Sequence, residues 1–197
     1  DITERHKSTE ALRQQSRQQA AAARFSQLAL VEHDLQTLMD EATSLAAKTL
    51  NVEYTKVLKL LPDKKRLLLC SGIGWKPGLV GQRMVDAGKK SQAGYTLLTE
   101  RPIIVTDFQT EDRFTSPSLL AEHNIISGIS ATIPGEEKNW GIFGVHTSRP
   151  RNFTSDEIYF ISTLANTLGS SIAHHETMKA LQASENQHRT MFETTKE

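Results

Sequence analysis

The sequence of 197 residues predicts an α+β fold, a mixed sheet of about five strands with helices packed on it. Three observations carry that reading. The first fifty residues hold neither Gly nor Pro and are rich in Gln, Ala, Glu, Lys and Arg, a composition that favours helix. Between positions 55 and 147 the apolar spacing shortens to that of strands, broken by Gly- and Pro-bearing turns. Beyond position 155 helical spacing returns and persists almost to the end.

In the first zone Leu28, Val31, Leu35, Leu38, Ala42, Leu45 and Thr49 recur at three- and four-residue steps and so share one stripe. Asp34 is placed to end one helix and cap the next, because its carboxylate can accept the free amides of a first turn. Upstream of Arg24 the pattern fades into Gln and Ala, and a helix there needs a packing partner.

The middle zone opens with a strand at 55–61, a turn through Pro62-Asp63-Lys64-Lys65 and a hairpin partner at 66–71. The loop 72–94 holds six of the eleven glycines, which predicts positive φ angles, mobility or close approach to the backbone. A short helix at 95–99 is ended by Arg101-Pro102. A strand at 103–106, a polar loop at 107–117 and a short helix at 119–123 follow. Strands at 127–133 and 140–147 are joined across a turn at 134–139.

The last zone reads as one helix. Ser155 is expected as its N-cap, with Asp156 and Glu157 at the positive end of the dipole. Ile158, Ile161, Ala165, Leu168 and Ile172 form a seam that His174-His175 interrupts. Carried on to position 192, this helix would be about 55 Å long at 1.5 Å per residue, more than one compact domain can bury. The excess is expected to pair with the N-terminal helix, with a second copy of the chain, or both.

Bulk chemistry narrows the function. The 23 basic and 23 acidic residues cancel, and no basic block offers a footprint for nucleic acid or a handle for an anionic membrane. A single cysteine, Cys70, excludes an internal disulfide and any multi-cysteine zinc or redox motif, so a reducing, cytoplasmic setting is expected. Apolar runs such as 67–70 and 103–105 are far too short to span a bilayer. The chain begins Asp-Ile-Thr-Glu-Arg, with no signal pattern and no initiator Met, and is expected to be a piece of a longer protein.

The run Gly94-Tyr95-Thr96-Leu97-Leu98-Thr99-Glu100-Arg101-Pro102-Ile103-Ile104-Val105-Thr106-Asp107 resembles the helix–strand–Asp segment of GAF domains. Ser127, the run Trp140-Gly141-Ile142-Phe143-Gly144-Val145-His146, and Pro150-Arg151-Asn152-Phe153-Thr154-Ser155-Asp156-Glu157 extend the likeness in order across residues 26–175. The resemblance implies an antiparallel sheet of five or six strands in the order 2-1-5-4-3. It places the long terminal helices on one face and a loop-enclosed small-molecule pocket on the other. Asp1-Ile2-Thr3-Glu4-Arg5 with Glu10-Ala11-Leu12 resembles the exit of a PAS domain into its linker helix, over residues 1–25. Ser184-Glu185-Asn186-Gln187-His188-Arg189-Thr190-Met191-Phe192-Glu193 is similar to the entry of another, after a linker helix, over residues 176–197. The implied parent is a PAS–GAF–PAS sensor of the two-component histidine kinase or cyclic-di-nucleotide signalling type, bacterial or cyanobacterial, with a downstream output domain.

Family resemblance alone does not settle chemistry. In the phytochrome-like version a Cys-His pair holds a bilin, and those places fall near Thr115-Ser116, which cannot form the thioether. His146 could supply a haem ligand, or be a strand histidine hydrogen-bonded near the pocket. The adjacent His174-His175 cannot share one helix face, which argues against chelation there. The cyclic-nucleotide signature is reversed here as Lys138-Asn139, and Phe153 stands too close to Asp156-Glu157. Thiol catalysis, as in the methionine-sulfoxide reductase branch, needs several cysteines.

What remains is a non-catalytic module. By the resemblance its pocket is walled by Tyr95, Asp107, Phe108, Arg113, Phe114, Leu119, His123, Ser127, Ile129, Trp140 and His146. Arg113 either receives a ligand carboxylate or pairs with Asp107, Glu111 or Asp112. Trp75 is a lid or a hydrophobic plug. The expectation is an unidentified small organic ligand with no cofactor, and a homodimer formed through the terminal helices. The alternatives are a bilin- or haem-bearing light or gas sensor, and a ligand-free spacer.

Overall fold

The computed structural model describes residues 2–115 and 117–194, with side chains for all of these except 2–4, 7 and 190–194. The Gly- and Pro-free N-terminal zone folds into α1 (Ile2–Val31) and α2 (Leu35–Leu50). Asp34 separates them as expected: its carboxylate accepts the Thr37 amide at 2.9 Å and the Thr37 hydroxyl at 2.6 Å. Those bonds hold the Asp34 carboxyl below its ordinary range. The break also splits the single stripe read from the sequence. Leu38, Ala42 and Thr49 are buried, whereas Val31 is 69 % exposed because α1 ends before the chain turns onto the sheet.

Six strands form one sheet: β1 (Tyr54–Leu60), β2 (Arg66–Ile73), β3 (Met84–Asp86), β4 (Ile103–Val105), β5 (Ser127–Ile133) and β6 (Gly141–Thr147). Their spatial order is β3-β2-β1-β6-β5-β4, and every pairing is antiparallel. The sheet is therefore not mixed. The strands expected from sequence stand in the order 2-1-5-4-3, with β3 added at the β2 edge. β3 lies inside the glycine-rich loop and is only three residues long, too short to show a period. Three glycines of that loop, Gly74, Gly78 and Gly81, take positive φ.

The sheet is apolar on both faces. Val57, Ile129, Ala131, Ile133, Phe143 and Val145 face the helices and pack with Phe25, Leu38, Phe160, Leu164 and Leu168. Leu58, Leu67, Leu69, Ile103, Val105 and Ile142 face the loops, under Trp75, Phe108, Phe114 and Leu119. Two short helices close that second face, α3 (Gln92–Thr99) and α4 (Ser118–Ala121). α3 starts before its expected first turn, because Ser91 caps it by accepting the Gly94 amide at 3.0 Å.

α5 (Ser155–Thr194) is 40 residues long, which at 1.5 Å per residue is about 60 Å. Its cap is Thr154 rather than Ser155, through a reciprocal box. The Thr154 hydroxyl accepts the Glu157 amide at 3.3 Å and Glu157 accepts the Thr154 amide at 2.8 Å. The first half of α5 lies over the sheet and against α1. At Gly169 it passes so close to the β5–β6 turn that a Cβ would stand 2.5 Å from Pro134 Cγ. Two turns on, the Thr177 hydroxyl donates to Glu136 of the same turn at 2.7 Å. Every side chain from 176 to 189 is exposed. Among the described residues no helix is long and apolar enough to cross a membrane.

Candidate functional site

The loop-side face has a polar centre inside its apolar ring, and strand register assembles it. Across the sheet Gly72, Lys56, Gly144 and Ser130 stand in one row. Tyr54, His146 and Gly128 stand in the next. The glycines create the space. A Cβ on Gly72 would lie 2.5 Å from Trp75 Nε1, and one on Gly128 would lie 2.1 Å from His146 Nδ1. One on Gly144 would lie 3.0 Å from Lys56 Cε and 3.1 Å from His146 Nε2. Lys56, His146 and Trp75 thus lie flat on a floor whose strands give up their side chains to admit them.

The roof is tied down from two sides. Trp75 donates its indole N–H to the Thr55 carbonyl at 2.7 Å and sets its ring edge-on to His123, centroids 5.0 Å apart. His123 Nδ1 lies 2.8 Å from the Leu119 carbonyl, and its Nε2 accepts the Lys76 amide at 3.2 Å. The first contact makes Nδ1 the donor. Arg83 reaches from the glycine-rich loop to α4, bonding Ser118 at 3.0 Å and pairing with Glu122. On the other side Phe108 stands 6.2 Å from the His146 ring. α3 joins the floor through a bond of 2.7 Å between the Thr96 and Ser130 hydroxyls.

Among the described residues, His146 and Gln92 keep buried polar atoms without a hydrogen-bond partner. Lys56 is 1 % exposed, and only burial acts on its amine, pushing its pKa down to about 7. His146 is fully buried, both of its ring nitrogens lack a hydrogen bond, and burial followed by the Lys56 charge pushes its pKa well below the ordinary range. Gln92, one turn before Thr96 on α3, is fully buried with both amide atoms unpaired. Buried polar groups in native folds almost always find partners, so the unpaired atoms of His146 and Gln92 call for one.

Of the residues singled out from sequence, Phe108, Phe114, Leu119, His123 and His146 meet on this face, with Tyr95 half-buried beside Phe114 at 5.5 Å. The others do not join the polar centre. Ile129 points to the opposite face by strand alternation and packs among the helices, where Trp140 is also seated. Ser127 Oγ is spent on backbone, 2.8 Å and 2.7 Å from the Thr106 and Arg149 carbonyls, and it accepts the Arg151 amide at 2.9 Å. Asp107 caps its own loop by accepting the Gln109 amide at 2.8 Å.

Arg113 is paired within its loop rather than aimed at the centre. It holds Glu111 at 2.5 Å and donates to the Ile104 carbonyl at 2.7 Å. Its hydrogen bond keeps the Glu111 carboxyl below its usual range. Trp75 is a buried member of the roof. His146 is buried as a strand histidine but lacks the hydrogen bond expected of it. Thr115 donates its amide to the Lys90 carbonyl at 2.8 Å, and Ser116 lies outside the described residues. Cys70 sits on the helix side, its thiol pKa raised by burial.

Sequence reasoning missed Lys56, Gln92, Thr96 and Ser130. The register that sets glycines on both sides of Lys56 was the signal available. Elsewhere, a surface groove of about 400 Å³ lies where the α1–α2 turn meets α5, beside His33, His174 and His175. No group of three or more His, Cys, Asp or Glu residues is placed to hold a metal among the described residues.

The family described as GAF domain matches residues 34–172, well over half of the chain. No curated protein sequence matches the chain. Among solved structures, the chain is similar to the GAF domain of a phosphoenolpyruvate-protein phosphotransferase from Coxiella burnetii, at 17 % identity and a TM-score of 0.76, covering 84 % of this chain and 98 % of that one. It is similar to a free methionine-R-sulfoxide reductase from Neisseria meningitidis, solved with its substrate, at 10 % identity and a TM-score of 0.70, over 82 % and 91 %. It is also similar to the phycocyanobilin-bound GAF domain of a cyanobacterial phytochrome, at 18 % identity and a TM-score of 0.68, over 82 % and 96 %. At these identities the likeness is one of fold.

Proposed function

This chain belongs to the GAF domain family, and we propose that it is a non-catalytic sensory and regulatory module of a cytoplasmic signal-transduction protein. It takes a small molecule on the loop-side face and relays occupancy through its terminal helices. The observation that carries this reading is the buried polar centre, where His146 and Gln92 keep polar atoms without a partner among the described residues and Lys56 lies beside His146 at 1 % exposure. A ligand that fits there differently in two helix arrangements shifts their balance, and one that fits equally shifts nothing.

The relay half of the proposal rests on α5. Fourteen consecutive positions, 176–189, are exposed on every side, and an isolated helix of that length is marginal in water. Leu12, Met178 and Leu181 are among its and α1's exposed apolar residues. A second copy of the chain pairing along these helices supplies the missing packing, and flanking PAS domains in a histidine kinase or cyclic-di-nucleotide enzyme would deliver and receive the signal. Native mass spectrometry of the purified protein tests both halves at once. A dimer carrying a small bound mass is expected, and a bare monomer would refute the proposal.

A second reading, a cofactor-bearing light or gas sensor, has the free ring nitrogens of His146 in its favour. A visible absorbance band in the purified protein would establish it. Absorbance confined to the ultraviolet would remove it.

A further inference from the structure

We propose that the loop-side centre takes a small organic monoanion, with its carboxylate set between the Lys56 ammonium, Gln92 and His146 on the glycine floor. This rests on the reading of that face as the sensory site and adds the charge and size class of what enters it. Lys56 sets the charge of the centre. It sits on a central strand and is among the largest fully buried side chains, and burial is the one influence resolved on its amine. A buried cation without a partner is a cost that a leucine or methionine of similar volume would not incur.

Glu111 is held by Arg113 and Glu122 by Arg83. Glu53 is held by Arg149 and Ser148 through Oε1, while its Oε2 is buried without a hydrogen-bond partner among the described residues. Asp107 caps its own loop. The groups over the glycine floor are otherwise His146 from β6 and Trp75 and His123 from the roof, with Gln92 on α3 one turn before Thr96, which bonds Ser130 of that floor. His123 and the Trp75 indole are both spent on backbone.

The inventory left over holds more donors than acceptors: the ammonium's three hydrogens, the Gln92 NH2 and one imidazole N–H, against the Gln92 carbonyl oxygen and the other imidazole nitrogen. Its complement is a group that only accepts and carries negative charge. A carboxylate has two oxygens that accept several such bonds in one plane, and these charge-assisted bonds are the strong ones. With Arg113 withdrawn into its own loop, one cation remains in the centre, which suits a monoanion better than a phosphate dianion.

Acetate and acetamide share a shape and differ in charge, so thermal unfolding with each, at fixed ionic strength, tests the proposal. At ten times its dissociation constant acetate is expected to raise the wild-type midpoint by roughly 3–6 °C, and acetamide by far less. The acetate shift should grow as pH falls from 8 towards 6, because bound anion keeps the amine protonated. Lys56→Met, which retains volume and removes a buried charge, should fold and lose the acetate response. An equal response to acetate and acetamide, or an acetate response that survives in Lys56→Met, overturns the monoanion but leaves the site standing. A wild type that responds to neither, and carries no mass in the native spectrum, overturns both. A mass locked onto Lys56 by borohydride would mean an imine with a carbonyl compound and would also overturn the proposal.

Discussion

Lys56 and His146 occupy the same hollow over Gly144, with Cε of one and Nε2 of the other 3.0 Å and 3.1 Å from the point where a Cβ would stand. Two basic side chains share that space, and among the described residues neither has an ion pair with an acid. Burial pushes the lysine to about 7, and burial together with the lysine's charge pushes the histidine well below its ordinary range. In the unfolded chain the lysine keeps its proton to about 10.5, so between about 7 and 10.5 the unfolded state binds more protons. The empty protein should therefore gain stability as pH rises from 7 to 10. Below 6.5 the unfolded histidine takes up a proton that the folded one refuses, so stability should also fall on acidification. Denaturant titrations at a series of pH values check this, and Lys56→Met should flatten the upper limb.

Gly128→Ala should cost about 1–3 kcal/mol, in the range of overpacked sites. The added methyl would stand 2.1 Å from His146 Nδ1 and 2.8 Å from the Val145 carbonyl, so the imidazole must leave its slot and the strand must shift. Urea denaturation measures the loss. The His146 ring resonances in NMR should move with it, and unchanged resonances would contradict the packing described.

Glu157→Ala removes two interactions at once, the return half of the cap on α5 and the ion pair with Arg151 at 2.5 Å. Glu157 is 6 % exposed, so the cost should exceed that of a surface charge and reach about 2 kcal/mol. Thr154→Ala, which removes the other half of the box, should cost about 1 kcal/mol. If Ser155→Ala were the more damaging change, the assigned cap would be wrong.

Deleting residues 176–197 should leave the unfolding midpoint nearly unchanged, since the side chains from 176 to 189 are all exposed. Light scattering should show weaker self-association of the shortened chain. Full retention of a dimer would move the interface to α1 and the first half of α5.

The architecture was legible because each zone has its own period, and because Asp34 and the turn at 62–65 punctuate it chemically. β3 escaped notice because it is held by its neighbour and not by any pattern of its own. Thr154 and Ser155 are both plausible caps in sequence. Only the position of Glu157, three residues after Thr154, decides between them.

The site was harder to read, because it depends on parity in strands that are buried on both faces. In Lys-Val-Leu-Lys, Lys56 and Lys59 look alike. Yet Lys59 points to the helix side, exposed at the sheet's end with its ammonium 5.6 Å from the Trp140 ring, and Lys56 turns into the centre. Their difference comes from register, which sets Gly72 and Gly144 beside Lys56. Ile129 was misplaced for the same reason, by one step of alternation. Of the two roles open to Arg113, the loop pairing holds, because a fork suited to a carboxylate found one two residues away, in Glu111.

The bare backbone of Gly169 resting against Pro134 gives α5 a fulcrum. About 21 Å of helix lies on the sheet side of it and about 37 Å beyond, at 1.5 Å per residue. A tilt of about 5° there would carry the far end roughly 3 Å, enough to change which side chains meet a neighbouring helix. Movement of the β5–β6 hairpin would thus emerge enlarged, by mechanical advantage alone, at the end of a rigid rod.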